Sequence, residues 1–349
     1  MRHCGYRHGM KLLGALLTSS LVLALAGCPN QAKNDSTNAL NAGNKALGQK
    51  QTETAINEYQ KAVERYRENH LAWYGMGLAN IEKKDFDKAA DALQHTVELA
   101  PEQPMYQMWY GIALYEKAVQ GAKEDQAKKA NKKPEEIDPD LSGVSFEKAS
   151  QALQEAVKLN AGLWRAHYYL GKIYRATDKP KEAAEQFSEA IKSNPREWGP
   201  YVALGELYRK WDYTDQAITI ASQGTANVPG SNDQSDIWYV LGMGYEDKAN
   251  EDKAIEAFTK AIETKKDNHK AKFQRGQAYF RKGDMTDAKK DLEEFSKSGG
   301  ASLEFAKQQA SKMLMDIAAK SAMQNAPAES KPSPEDLVKG TKGAKGKKH

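Results

Sequence analysis

Residues 164–197 read WRAHYYLGKIYRATDKPKEAAEQFSEAIKSNPRE. Small residues sit at two fixed places, Gly171 and Ala183, with Leu170, Tyr174, Phe187 and Ala190 around them and Pro195 near the end. Gly and Ala on facing helices let two backbones approach closely, while the aromatic and leucine positions fill the space to the next pair. Pro195 cannot continue a helix and punctuates the end. The stretch therefore predicts a helical hairpin that buries only part of its apolar surface alone and needs a neighbour stacked on it.

The neighbours are present in the chain. Gly171 belongs to a ladder Gly43, Gly77, Gly111, Gly171, Gly205, Gly242, Gly276, whose successive steps are 34, 34, 60, 34, 37 and 34. Ala183 belongs to a second ladder, Ala55, Ala89, Ala149, Ala183, Ala217, Ala254, Ala288, in phase with the first. The same short interval separates each Gly from its Ala, except between Gly111 and Ala149, where it is much longer. Other positions repeat too: Trp73 with Met76-Gly77, Tyr201 with Leu204-Gly205 and Tyr208, Trp238 with Leu241-Gly242, Tyr245 and Phe258.

A period of 34 with small residues at two fixed places resembles the tetratricopeptide repeat. The resemblance covers about residues 36–298 and implies an all-α solenoid, a superhelix of about seven helical hairpins. The first unit, about Ser36 to Asn69, keeps Gly43, Ala55, Tyr59 and Ala62 but has Ala39 and Ala46 where bulky residues are usual. The sixth has Lys266 in the proline position. The seventh has Lys272 in place of an aromatic and Phe295 in place of a small residue. After Gly299-Gly300, a further helical pattern over 299–324 (Leu303, Ala306, Ala310, Met313, Leu314, Ile317) reads as the capping helix that such arrays need.

The third unit carries an insert near 119–144. The first part reads as an extension of the preceding helix, and Pro134 and Asp138-Pro139-Asp140-Leu141-Ser142-Gly143 read as a loop. Asp138, Asp140 and Ser142 at alternating places also resemble the start of a calcium loop, but Ala149 stands where that loop needs a bidentate Glu, and Glu147 is two residues early. The other reading is a polar turn in which Asp and Ser bond to local backbone. A three-residue insert between Ala217 and Gly242 enlarges the Gly230–Asp233 turn.

The N-terminus reads as an address. Arg2, Arg7 and Lys11 precede the short apolar run LLGALLTSSLVLALA over 12–26. That run falls short of the ~20 residues of a membrane span and fits a secretory signal over 1–27. It ends in Leu25-Ala26-Gly27-Cys28, which closely resembles the bacterial lipobox: small residues admit the peptidase, and the Cys28 thiol takes the lipid. The resemblance implies a covalent diacylglycerol and acyl (palmitate-type) anchor on Cys28, and a place in the bacterial cell envelope facing the periplasm. Pro29 rather than Asp follows Cys28, which by resemblance to enterobacterial sorting favours the outer membrane. Residues 28–35 are polar and Asn-rich and read as a flexible tether.

Charge narrows the partners. The formal net charge is +4, yet residues 1–27 and 325–349 carry +3 each, leaving −2 on the body. A body this close to neutral does not point to nucleic acid, which calls for a concentrated basic surface. The tail 325–349 is Pro-, Gly- and Lys-rich, with the composition of a disordered segment; either it is simply solvated or its LVKGTKGAKGKKH end touches anionic lipid or cell-wall polymer. Cys4 and Cys28 are the two cysteines, too few for a disulfide framework or a thiolate zinc site. No phosphate loop, His-Glu-x-x-His pair, Gly-x-Ser-x-Gly or Cys–His pairing appears, and His167 stands at a repeat position usually held by a core aromatic. No catalytic residue, metal or dissociable cofactor is expected.

The family binds peptides along the first helices of its hairpins, at the second, fifth, ninth and twelfth places of each repeat, which share one helical face. Here those places hold Leu71, Tyr74, Leu78 and Ile81, then Met105, Met108, Ile112 and Tyr115, then Arg165, Tyr168, Lys172 and Arg175. Val202, Glu206 and Arg209 follow with Lys210 beside them, then Asp236, Tyr239, Met243 and Glu246. This face reads as apolar and Met/Tyr-rich first, basic in the middle and acidic beyond. An apolar wall calls for a cover, and Met and Arg suit adaptable contacts and carboxylate recognition. One reading is a docked partner segment, extended or helical, with an apolar stretch followed by acids. The other is that the insert or the tether covers the apolar half, or that it is core. The Lys and Asn clamp of chaperone-binding members is missing at Tyr74/Leu78, Met108/Ile112, Tyr168/Lys172 and Tyr239/Met243.

The expectation is thus a membrane-anchored adaptor without catalysis of its own, like lipoproteins that assist pilus, secretion, motility, outer-membrane or cell-wall machinery. Its partners would be other envelope proteins. The alternative is a direct cell-wall glycan binder, which would show sugar-stacking aromatics beside carboxylates.

Overall fold

A computed structural model describes residues 29–230, 232–297 and 303–325. The signal region with Cys28, the Gly299-Gly300 junction and residues 326–349 lie outside the described residues. Fifteen α-helices follow one another, with no strand among the described residues. They pair as α1 (Pro29–Gly48) with α2 (Thr52–Arg65), α3 (His70–Glu82) with α4 (Phe86–Leu99), α5 (Pro104–Ala130) with α6 (Glu147–Leu159), and α7 (Trp164–Ala176) with α8 (Pro180–Ser193). Then come α9 (Trp198–Lys210) with α10 (Thr214–Asn227), α11 (Gln234–Asp247) with α12 (Glu251–Thr264), α13 (His269–Lys282) with α14 (Met285–Ser296), and the single α15 (Glu304–Asn325). Each helix packs on the next in an all-α solenoid.

The glycine ladder is a packing requirement. A Cβ on Gly171 would stand 2.5 Å from the Phe187 ring of the second helix. The same knob-and-gap pair recurs as Gly43–Tyr59, Gly77–Leu93, Gly111–Leu153, Gly242–Phe258 and Gly276–Leu292. The fifth hairpin solves the problem differently. Ala221 stands where Phe187 or Phe258 would be, and Val240 of α11 reaches across to fill the gap, 2.7 Å from a Cβ on Gly205. The three-residue insert before α11 accompanies this tighter approach of α9 and α11.

Polar side chains fix the register between hairpins. Trp73 Nε1 donates to Arg67 O (2.8 Å), Gln107 Nε2 to Pro101 O (3.0 Å), His167 Nε2 to Ala161 O (3.0 Å) and Tyr201 Oη to Pro195 O (3.2 Å). All four sit at the fourth place of a repeat and reach back six residues to the turn between hairpins. His167 is thus a buried structural tie. Two serines do a similar job: Ser36 Oγ donates to Ala62 O and accepts from Asn69 Nδ2, and Ser235 repeats this with Ala261 O and Asn268 Nδ2. Satisfied buried hydroxyls and amides of this kind specify a register that apolar packing alone leaves loose.

One expectation needs correction. Residues 29–35 are not a flexible tether but the opening turns of α1. Ser36, buried on Ala62 O, anchors the helix, and Lys33 lies over the Tyr66 ring, so tertiary contacts override a composition that favours coil. At the other end of the array, the helix read as a cap packs on α14. α15 turns Ala310 and Ile317 inward but leaves Phe305, Met315 and Met323 bare to solvent.

Candidate interaction groove

The first helices of successive hairpins carry the expected groove residues, and the structure divides them into two kinds. In the second and early third repeats the side chains are apolar and open. Leu71 is 48% and Met105 41% exposed. Tyr74, Leu78 and Ile81 are half-buried beside them, and the Tyr74 ring packs 4.7 Å from Tyr106. Arg165 closes this region, its guanidinium 4.3 Å from the Trp164 ring and 6.0 Å from Trp109, with no carboxylate partner among the described residues. A cation over an aromatic face is attracted to the ring quadrupole yet keeps its hydrogen-bond donors available.

Met108, Ile112 and Tyr115 do not belong to that open surface. They are 2%, 2% and 4% exposed. α5 runs on to Ala130, and the returning chain lays Leu141, Val144 and Phe146 against them, with the Phe146 ring stacked on Tyr115 at 5.2 Å. Of the readings offered by the sequence, cover by the insert applies to the third repeat, and an open apolar face applies to Leu71, Tyr74, Leu78 and Met105. Gln126 fastens the loop: its Oε1 accepts from Asp140 N (2.9 Å) and its Nε2 donates to Asp140 O (2.6 Å). Asp140 in turn accepts from Ser142 N and Ser142 Oγ, and these bonds hold its carboxyl below the usual range. The loop is a polar turn closed on itself, and among the described residues no cluster of three or more His, Cys, Asp or Glu stands where it would hold a metal.

From the third repeat onward the groove is charged, but its charges are paired from helix to helix. Lys172 on α7 lies 3.7 Å from Glu116 on α5. Arg175 on α7 pairs with Glu206 on α9 (3.3 Å). Arg209 on α9 grips Asp247 on α11 with two bonds of 2.6 and 2.9 Å. Glu246 on α11 meets Arg281 on α13 (2.6 Å), which also binds Glu251. The expected basic middle is therefore corrected: each of these cations is already neutralised by an acid of the adjoining repeat. Lys172 is the most enclosed. Its ammonium lies 4.5 Å from both the Tyr115 and Tyr169 ring centres, and Tyr169 Oη donates to Glu116. Burial pushes the Lys172 amine down, and the Glu116 carboxylate only partly offsets it. Tyr168 and Tyr239 are half-buried, each with its ring about 6.0 Å from a core phenylalanine, Phe187 and Phe258. Lys210 is exposed, beside a cleft of about 560 Å³ between the insert loop (Asp138, Asp140, Ser142) and α7 and α9.

Glu116, Asp247 and Arg281 were not among the groove residues read from the sequence. All three stand at the thirteenth place of their repeats. The available signal was a charge at places nine, twelve and thirteen that changes sign between adjacent repeats.

Models of the tetratricopeptide repeat match residues 40–104, 164–197, 235–268 and 269–297. The chain is a tetratricopeptide-repeat protein. Solved tetratricopeptide arrays share its architecture. Pseudomonas aeruginosa pilF is 16% identical, over 72% of this chain and 98% of that one, with a TM-score of 0.51. Cut9–Hcn1, described as an APC/C hetero-tetramer, is 14% identical, over 84% of this chain and 49% of that one, with a TM-score of 0.53. These likenesses are of fold. No curated protein matches the chain in sequence. Its class is that of a scaffold mediating protein–protein interaction.

Proposed function

We propose that this tetratricopeptide-repeat protein is a lipid-anchored adaptor of the bacterial envelope. It is tethered through an acylated Cys28, faces the periplasm with the outer membrane favoured, and gathers partner proteins without catalysis of its own. The observation that carries the reading is the open apolar wall of Leu71, Tyr74, Leu78 and Met105, beside an Arg165 that has no acid of its own among the described residues. Apolar surface held on a rigid helical frame is costly in water and favourable once covered by a partner. The partner segment that fits is an apolar stretch with a carboxylate placed for Arg165, rather than a long acidic run. The envelope machine served is one built around such segments, as in the pilus, secretion, motility, outer-membrane or cell-wall assemblies. Nothing in the body calls for nucleic acid, and the basic tail end is left a weak contact with anionic polymer. The glycan-binding alternative calls for exposed aromatics beside carboxylates. The exposed pair Trp211 and Tyr213 has Lys181 in its pocket and no acid, so the scaffold reading is preferred.

A photo-crosslinking residue in place of Leu71, in cells, is expected to trap a protein partner. The double variant Leu71→Glu/Met105→Glu is expected to lower capture by about tenfold or more while the fold persists. Capture that survives the double variant unchanged removes this groove from the account. The anchor is tested separately: Cys28→Ser should release the protein from the membrane fraction, and continued membrane retention with an unmodified thiol would overturn it.

A further inference from the structure

The fifth repeat carries two side chains that the other repeats do not. At the place of Trp211, counted from the repeat glycine, the other uninterrupted repeats have Gln49, Lys83, Thr177, Lys248 and Lys282. At the place of Tyr213 they have Gln51, Asp85, Lys179, Asn250 and Asp284. Asp85, Asn250 and Asp284 each accept a backbone N–H and cap the helix that follows, whereas Tyr213, like Gln51 and Lys179, gives no side-chain cap. What sets the fifth repeat apart is that an aromatic ring stands at this place, 54% exposed, next to a tryptophan 45% exposed. Tyr213 keeps an edge-to-face contact with Tyr208, yet it stays more than half exposed and open to a ligand.

Trp211 and Tyr213 form one side of a pocket of about 220 Å³ between the end of α9 and the first turn of α8. Tyr208, Leu207, Pro180 and Ala184 complete its wall, and Lys181 is the sole charged residue lining it. Tyr208 and Tyr213 meet edge to face at 6.3 Å. Neither hydroxyl, nor Trp211 Nε1, has a hydrogen bond to another described residue, and Lys181 has no ion-pair partner among them. None of these residues is at a groove position, so the pocket is independent of the apolar wall around Leu71.

We propose that this pocket binds a proline-containing segment of a partner protein in the polyproline II conformation, with an acidic residue beside the prolines. Aromatic walls pack flat against pyrrolidine rings. An indole N–H and phenol hydroxyls at the rim suit the carbonyls that a polyproline II helix leaves unbonded. Lys181, unpaired in a pocket without carboxylates, sets the sign of the flanking charge. A sugar would need more hydrogen-bonding groups than this wall offers.

The test uses the full chain and a labelled, capped oligoproline peptide ending in Glu-Asp, followed by fluorescence anisotropy. Saturable binding is expected, and Trp211→Ala should weaken it by about tenfold or more. Lys181→Glu should weaken the Glu-Asp peptide but not the same peptide ending in Gln-Asn. Tyr213→Asp should weaken binding while raising the thermal midpoint, since it restores the cap used elsewhere in the array; a purely structural Tyr213 would move the other way. Leu71→Glu/Met105→Glu should leave this binding intact, which separates it from capture in the groove. A Gly-Ser peptide ending in Glu-Asp that binds equally well, an unchanged Trp211→Ala variant, or a chito-oligosaccharide that binds where oligoproline does not would each overturn the proposal.

Discussion

One groove runs through seven hairpins, yet its two ends are made of different material. In the second and early third repeats, Leu71 and Met105 are open to solvent, with Tyr74 and Leu78 half-buried beside them. From the third to the seventh repeat, Glu116, Lys172, Arg175, Glu206, Arg209, Asp247, Glu246 and Arg281 line the helices and answer one another. The first region has surface left to bury, while the second has spent its charge on stacking its own repeats. In a solenoid each hairpin touches only its neighbours, so an ion pair between adjacent first helices ties the array where hairpin packing is thinnest. A charged groove residue is therefore a candidate for recognition only once its counter-charge in the next repeat has been looked for.

The boundary between the two regions is the insert, and removing its seal is expected to have the largest effect. Phe146→Ala deletes a ring that is 4% exposed and stacked on Tyr115. The expected cost is about 3–5 kcal/mol, read as faster hydrogen exchange in α5 and α6. Dye binding should rise as well, because Met108, Ile112 and Tyr115 would join the open apolar wall. A loss below about 1 kcal/mol would mean that the insert merely drapes over a third repeat that is stable without it.

A smaller effect is expected in the charged region. Arg209→Glu sets two acids, with Asp247, where a two-bond ion pair stood. Because both partners are partly exposed, the expected cost is about 1–3 kcal/mol, shrinking in high salt as screening weakens the repulsion. Partner capture at Leu71 should be unaffected. A defect in capture without loss of stability would return Arg209 to the recognition surface.

The repeat itself was legible because its period is a steric fact: every Gly of the ladder faces a bulky residue at one fixed place of the second helix or, in the fifth repeat, Val240 from the next hairpin. That departure could not be read from Ala221 alone, since the filling residue belongs to another repeat. The groove positions were legible as a helical face, but exposure was not. Tyr115 occupies a groove place, and its cover comes from Phe146, whose arrival depends on how the insert folds back. The pairing of Lys172 with Glu116 was hidden for the same reason, because the two lie on opposite sides of that insert in the chain. At the N-terminus, the Asn-rich composition of 29–35 argued for coil and was outweighed by Ser36 bonding into the core.

The smallest expected effect tests how enclosed the charged region is. Burial lifts the Glu246 carboxyl above its ordinary value of 4.5, although Arg281 works against the shift, and its Oε2 is buried without a partner. With a folded pKa above the unfolded one, the folded chain binds this proton more readily. The stabilising contribution of the group is complete below 4.5 and is lost as pH rises through the folded value. Glu246→Gln removes that dependence, and Arg281 still holds Glu251 through two bonds of 2.7 and 3.0 Å. The stability of the variant relative to the parent should therefore improve from pH ~4.5 to neutrality, by less than about 1 kcal/mol because the site is partly screened. Urea unfolding of both proteins at acidic and neutral pH reads the difference. A variant that instead loses ground as pH rises would mean that the Glu246–Arg281 contact outweighs its desolvation, and that this end of the groove is held by that pair rather than by Arg281 and Glu251.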